Sequence, residues 1–174
     1  MVLKPQDVLV LLKLLTSSGA KWSFASLSEA LFMSPSEVHA GVKRAQVASL
    51  YAEATGAPVR ANLLEFLVHG VKYAFPVQLG SQARGIPTAH AAGPLRELVT
   101  NDGFLPPVWP HSEGSIAGLS VAPIYKSAPA AALLDPTLHE YLALVDAIRL
   151  GRSREQRLAG DILKNRLQTQ GASS

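Results

Sequence analysis

Two residues, Phe32 and Met33, are all that separate one helical pattern from the next, and so short a connection limits the folds open to this chain. Before it, Ser23 stands as the N-cap of a helix whose apolar set is Phe24, Leu27, Ala30 and Leu31. Trp22 is placed to pack back onto Leu27. After it, Ser34, Pro35 and Glu37 form a Ser-x-x-Glu capping box with proline at the first helical position. The helix so opened is expected over residues 35–48. Val38, Gly41, Val42, Ala45 and Ala48 recur at helical spacing on one side, and Ser36, His39, Ala40, Lys43 and Arg44 take the other. That second side is short, polar or small, and positive toward its end. Small side chains let a helix approach a major groove closely, and Lys or Arg meets base acceptors or phosphates.

A further helix is predicted upstream, starting near Pro5 and stopping at Ser17-Ser18-Gly19. Val8, Leu11, Leu12 and Leu15 form its inner stripe, while Leu9, Val10 and Leu14 widen it beyond one core face. The surplus needs a second cover, either a later helix of the chain or another subunit. The apolar run is too short to span a bilayer, and no small-residue cleavage site follows it. Three helices with a short turn between the second and third make a helix-turn-helix pattern. The segment FASLSEALFMSPSEVHAGVKRAQVASL resembles the helix-turn-helix of bacterial winged-helix transcriptional regulators, broadly the MarR-like group. An Ala-rich second helix, Leu-x-Met-Ser at the turn and Ser-Glu-Val opening the third helix carry the resemblance, together with an Arg-Ala inner face. It covers the first third of the chain. It implies a regulator, a repressor in the first instance, that reads double-stranded DNA through Ser34, Ser36, His39, Ala40, Lys43 and Arg44.

Such a domain also implies a wing, a β-hairpin that touches the DNA backbone. Residues 50–60 hold Thr55-Gly56-Ala57-Pro58 as a turn between Tyr51 and Val59. Residues 71–90 hold an alternating Val71-Lys72-Tyr73-Ala74-Phe75, a Gly80-Ser81 turn and a return through Arg84-Gly85-Ile86-Pro87. The second candidate is preferred because its tip is polar and carries Arg84, which then joins the DNA-binding set. Between the two, ANLLEFLVHG reads as a helix with Leu63, Leu64, Leu67 and Val68 inward.

From Gly85 to Pro110 the chain is rich in Gly, Pro and Ala and resists regular structure, with Trp109 as a packed anchor. Residues 116–125 suggest a short edge strand or strap. Asp135-Pro136 opens a helix to about Leu150 with Leu138, Tyr141, Leu142, Val145 and Ile148 inward. Gly151 ends it, and Ser153 with Gln156 repeats the capping-box pattern for a last helix to about Gln168, which buries Leu158, Ile162 and Leu163. The cluster Arg149, Arg152, Arg154 and Arg157 is either a phosphate-contacting edge or a solvated face paired with Asp146, Glu155 and Asp161. The organisation expected is a mainly α chain. A winged helix-turn-helix with a small hairpin wing occupies 1–90, a Pro/Gly/Ala-rich connection 91–128, and C-terminal helices 129–170 that dimerise or hold a protein partner.

Composition narrows the chemistry. A chain of 174 residues with 48% hydrophobic and 17% charged residues buries a true core. The net charge of +3 allows an acidic partner without demanding one. There is no cysteine, which removes disulfides, thiolate metal sites and a Cys nucleophile, and fits a reducing cytoplasm. His39, His69, His90, His111 and His139 are scattered, and Glu65 with His69 is at most half of a metal site. Neither a nucleophile elbow nor a phosphate loop is present. The expectation is a cytoplasmic DNA-binding homodimer, with no enzymatic activity, cofactor, metal or membrane partner. An antitoxin-like autorepressor with a protein partner, or a winged helix that binds only proteins, stands beside it.

Overall fold

The computed structural model describes residues 1–17, 19–100 and 103–171. The fold is mainly α, with one two-stranded and one three-stranded sheet. Helix α1 (Pro5–Thr16) is its axis. Val8, Leu9, Val10, Leu11 and Leu12 are all fully buried, so the helix is covered on every side rather than along one stripe. Helices α2 (Phe24–Leu31) and α3 (Pro35–Val47) pack against it, with Val10 beside Gly41 of α3, and α7 (Pro136–Leu150) of the same chain packs against it as well. Lys13 and Thr16, one turn apart on α1, both reach Asp135, the N-cap of α7, at 2.6 and 3.1 Å. Burial works to raise the Asp135 carboxyl, but Lys13, the Leu138 N–H and the Thr16 hydroxyl hold it below its ordinary value.

Immediately after α3, β1 (Tyr51–Ala52) and β2 (Ala57–Pro58) pair antiparallel, Tyr51 opposite Pro58 and Ala52 opposite Ala57. Gly56 turns the chain there with φ +65°. The hairpin therefore occupies the earlier of the two candidate segments, not the preferred later one. Residues 71–75 are not a strand. They continue a helical stretch from α4 (Arg60–Glu65) through a π-helical turn (Phe66–Gly70) into α5 (Val71–Ala74). The physical reason is a four-residue recurrence that outweighs the local alternation: Leu63, Leu67 and Val71 are all fully buried, while Tyr73 is exposed.

Strands β3 (Gln82–Pro87), β4 (Pro107–Pro110) and β5 (Ile116–Ser120) form a sheet in which each strand pairs with the other two. β3 runs antiparallel to both partners, and β4 runs parallel to β5. Such a tight closure requires glycine where backbones meet. A side chain at Gly85 would run into the Trp109 carbonyl, and one at Gly118 into that of Pro106. The segment expected to be irregular thus contributes a strand, with prolines only at its two ends. Trp109 is the anchor expected. It is buried, its indole N–H donates to Asp146 at 2.7 Å, and its ring lies against His139 with centroids 5.2 Å apart.

The C-terminal part is helical: α6 (Ala128–Leu134), α7 and α8 (Ser153–Gly171). Asp135 accepts from the Leu138 N–H at 3.1 Å, and Gly151 ends α7 with φ +85°. The box expected at Ser153 and Gln156 takes another form. Ser153 is already helical, and the Gln156 amide donates back to the Ile148 carbonyl at 2.8 Å, satisfying the end of α7. α7 is buried from Tyr141 through Arg149, well beyond a stripe. One connected cluster of buried side chains runs from Val8 to Leu167 and draws on all three segments of the chain. Among the described residues, no helix is long and apolar enough to cross a membrane.

Candidate nucleic-acid interface

Helix α3 is fixed by chemistry at both ends. At its start the Ser34 hydroxyl accepts from the Glu37 N–H at 3.2 Å, and the Glu37 carboxylate accepts from the Ser34 N–H at 2.9 Å. The same carboxylate accepts from the Tyr125 hydroxyl at 2.7 Å, and Lys126 adds a favourable charge. The Tyr125 bond, then the Ser34 bonds, hold the Glu37 carboxyl down to about 2. The same bond raises the Tyr125 phenol above its ordinary value, with burial adding to it. Thus the strap between β5 and α6 reaches the first turn of α3. The turn before α3 is equally defined: Phe32 takes a left-handed conformation, φ 52°, and is exposed, whereas Met33 is buried.

Near its other end, α3 departs from the expected face assignment. Arg44 does not point outward. Its guanidinium donates twice to Asp7 of α1, Nε to Oδ2 and NH2 to Oδ1, both at 2.8 Å. Asp7 is completely buried and also accepts from the Lys4 N–H at 2.8 Å. Gly41 makes this approach feasible, since a Cβ there would stand 3.0 Å from Asp7 Oδ1. Arg44 is therefore withdrawn from the DNA-binding set. The spacing held a signal: Arg44 follows buried Gly41 by three, which is the inner side. Asp7 lies 37 positions away, and nothing local points from one to the other. Ala48, expected inside, is exposed because the helix has ended at Val47.

The remaining face is open. Ser34, Ser36, His39 and Lys43 are exposed, and Ala40 is half-buried. The His39 ring meets Phe24 edge-on at 5.0 Å. Trp22 meets Phe24 at 5.3 Å and Tyr51 at 6.3 Å, and its indole N–H donates to the Gly56 carbonyl at 3.0 Å. One aromatic row thereby ties the start of α2 to the hairpin and supports α3. The hairpin itself, YAEATGAP, carries no cation, and Glu53 in its loop accepts from the Gln46 amide at 3.1 Å. Arg84 is not part of it. It is exposed in the middle of β3, opposite Ala117, and donates weakly to the Ser115 carbonyl at 3.4 Å. Its place in the interface rested on a hairpin that the later segment does not form.

The arginine cluster is also divided. Arg149 is buried, ion-paired to Asp146 at 2.8 Å and donating to the Phe75 carbonyl at 2.8 Å. Burial pushes the Asp146 carboxyl up, against the opposing pull of Arg149, Thr88 and Trp109. Arg152 pairs loosely with Glu155 at 3.7 Å, while Arg154 and Arg157 are exposed. No continuous basic edge results. Glu65 and His69 are both exposed, and among the described residues no three His, Asp or Glu side chains converge on a metal-sized site. Comparison with protein-family models, with curated proteins and with solved structures finds no match for this chain.

Proposed function

We propose that the chain is a winged helix-turn-helix protein that binds double-stranded DNA, with α3 entering the major groove. The observation that carries the reading is the row of exposed Ser36, His39 and Lys43, with half-buried Ala40 among them, on a helix braced at both ends and followed directly by a hairpin. Lys43 supplies the cation of the row, and Lys126 lies close to the helix N-terminus, where helix dipole and charge both favour phosphate. Regulation of transcription, as a repressor or as an antitoxin-like autorepressor, follows from such binding as a second step.

A second reading is favoured by specific features. Arg44 is engaged internally, the hairpin carries Glu53 and no cation, and Phe32 and Val47 are 55% and 64% exposed beside the same helix. A winged helix whose outer face binds a protein fits those features. Fluorescence anisotropy separates the two, using duplex from upstream of the coding sequence and random duplex at two salt concentrations. Preferential, salt-weakened binding that Lys43→Ala reduces supports DNA recognition. No binding at low salt rejects it in favour of the protein-binding module.

A further inference from the structure

The first turn of α8 and strand β5, with Val99, Thr100, Phe104 and Leu105, line a cavity of about 320 Å³. A neighbouring chamber of about 200 Å³ shares Leu79, His90, Arg152 and Glu155 with it and ends on Val77, Ala147 and Leu150. The first volume falls at the lower end of small-molecule sites, and such sites combine apolar walls with a few polar groups. Here Leu79, Leu105 and Leu119 give the wall, and His90, Arg152, Arg154 and Glu155 gather at one side. Apolar side chains at this cleft stay in contact with water: Leu79 and Leu105 are each 42% exposed and Phe104 is 70% exposed. An apolar ligand body would cover them.

The charge balance selects the head group. Glu155 is buried and compensated by Arg152 at 3.7 Å. Arg154 forms no ion pair among the described residues, so the described lining sets two guanidiniums, Arg152 and Arg154, against the one carboxylate of Glu155. The N-terminal turn of α8 adds its partial positive charge in the same place. Burial keeps the His90 imidazole below its ordinary value, with Glu155 opposing and Arg152 adding to the effect. That shift favours the neutral, hydrogen-bonding imidazole over a third cation.

We propose that this cleft binds a small amphiphilic organic acid, its carboxylate held at Arg154 and Arg152 and its apolar body laid against Leu79 and Leu119. The proposal does not rest on nucleic-acid binding. Isothermal titration of the full chain with octanoate and with 4-phenylbutyrate, against the corresponding amides, tests it. At least one acid is expected to bind saturably, and its amide to bind about tenfold more weakly or worse, the scale of one charge-assisted hydrogen bond. Arg154→Ala, at an exposed position and expected to keep the circular dichroism spectrum of the unchanged chain, is expected to weaken the acid by a similar factor. The proposal is overturned if neither acid gives saturable heat, if acid and amide bind equally, or if Arg154→Ala binds as tightly as the unchanged chain.

Discussion

Replacing Arg44 with alanine separates the two places that residue can occupy, outside on α3 or inside against α1. The substitution removes both 2.8 Å hydrogen bonds to Asp7 and leaves a fully buried carboxylate with only the Lys4 N–H. Breaking a buried ion pair from one side costs about 3–5 kcal/mol, chiefly the penalty of the stranded charge. Arg44 keeps 12% of its side chain in water and Asp7 keeps one donor, which puts the loss near the lower end, about 3 kcal/mol. For a chain of this size that lowers Tm by roughly 6–12 °C. Lys43→Ala, one residue earlier and exposed, stays within about 0.5 kcal/mol. Urea denaturation followed by circular dichroism measures both, and Asp7→Asn closes a double-mutant cycle in which the combined loss is smaller than the sum. The assignment of Arg44 to the interior is refuted if Arg44→Ala is as stable as Lys43→Ala.

Trp109→Phe removes a donor from buried Asp146 and shrinks a packed side chain, and is expected to cost about 2–4 kcal/mol in the same assay. Because the fold depresses the Glu37 carboxyl from 4.5 to about 2, its contribution is complete above about pH 4.5 and is lost as pH falls toward 2. Tyr125→Phe should raise that value, read by carboxyl NMR; an unchanged titration means that the 2.7 Å bond does not set it. Finally, a fragment of residues 1–90 bares the side of α1 that faces α7, and should show no cooperative thermal transition. A cooperative one would establish the first 90 residues as an independent domain.

What the sequence made legible was chemistry confined to a few consecutive residues. Ser23, the Ser34–Glu37 box, Asp135 with Pro136 and Gly151 all act where their neighbours imply, because a cap answers to the backbone beside it. Trp109 was readable as an anchor from its size and its proline neighbours, though not its partner Asp146. Long-range pairing was out of reach. The alternation at residues 71–75 imitates a strand, and only the spacing of Leu63, Leu67 and Val71 across a π-helical turn shows that the helix continues. The three-stranded closure depends on Gly85 meeting Trp109 and Gly118 meeting Pro106, contacts no local pattern encodes. Arg44 was misplaced for a related reason: a cation on an amphipathic helix looks like surface until a buried acid is found for it.

That acid changes how the candidate interface is understood. The first turn of α3 is held by Tyr125, from the strap that leads to α6, and a later turn by Asp7, from α1. α1 in turn is bound through Lys13 and Thr16 to the cap of α7. The helix proposed to meet DNA is thus positioned by residues from both halves of the chain. A helix braced in this way loses little freedom on binding, which favours affinity from a small polar row that would otherwise be too weak. The same bracing gives the C-terminal half a physical route to α3. A change in the strap at Tyr125 would act on the N-terminal turn of α3, next to Ser34 and Ser36, without any contact between a partner and the outer face itself.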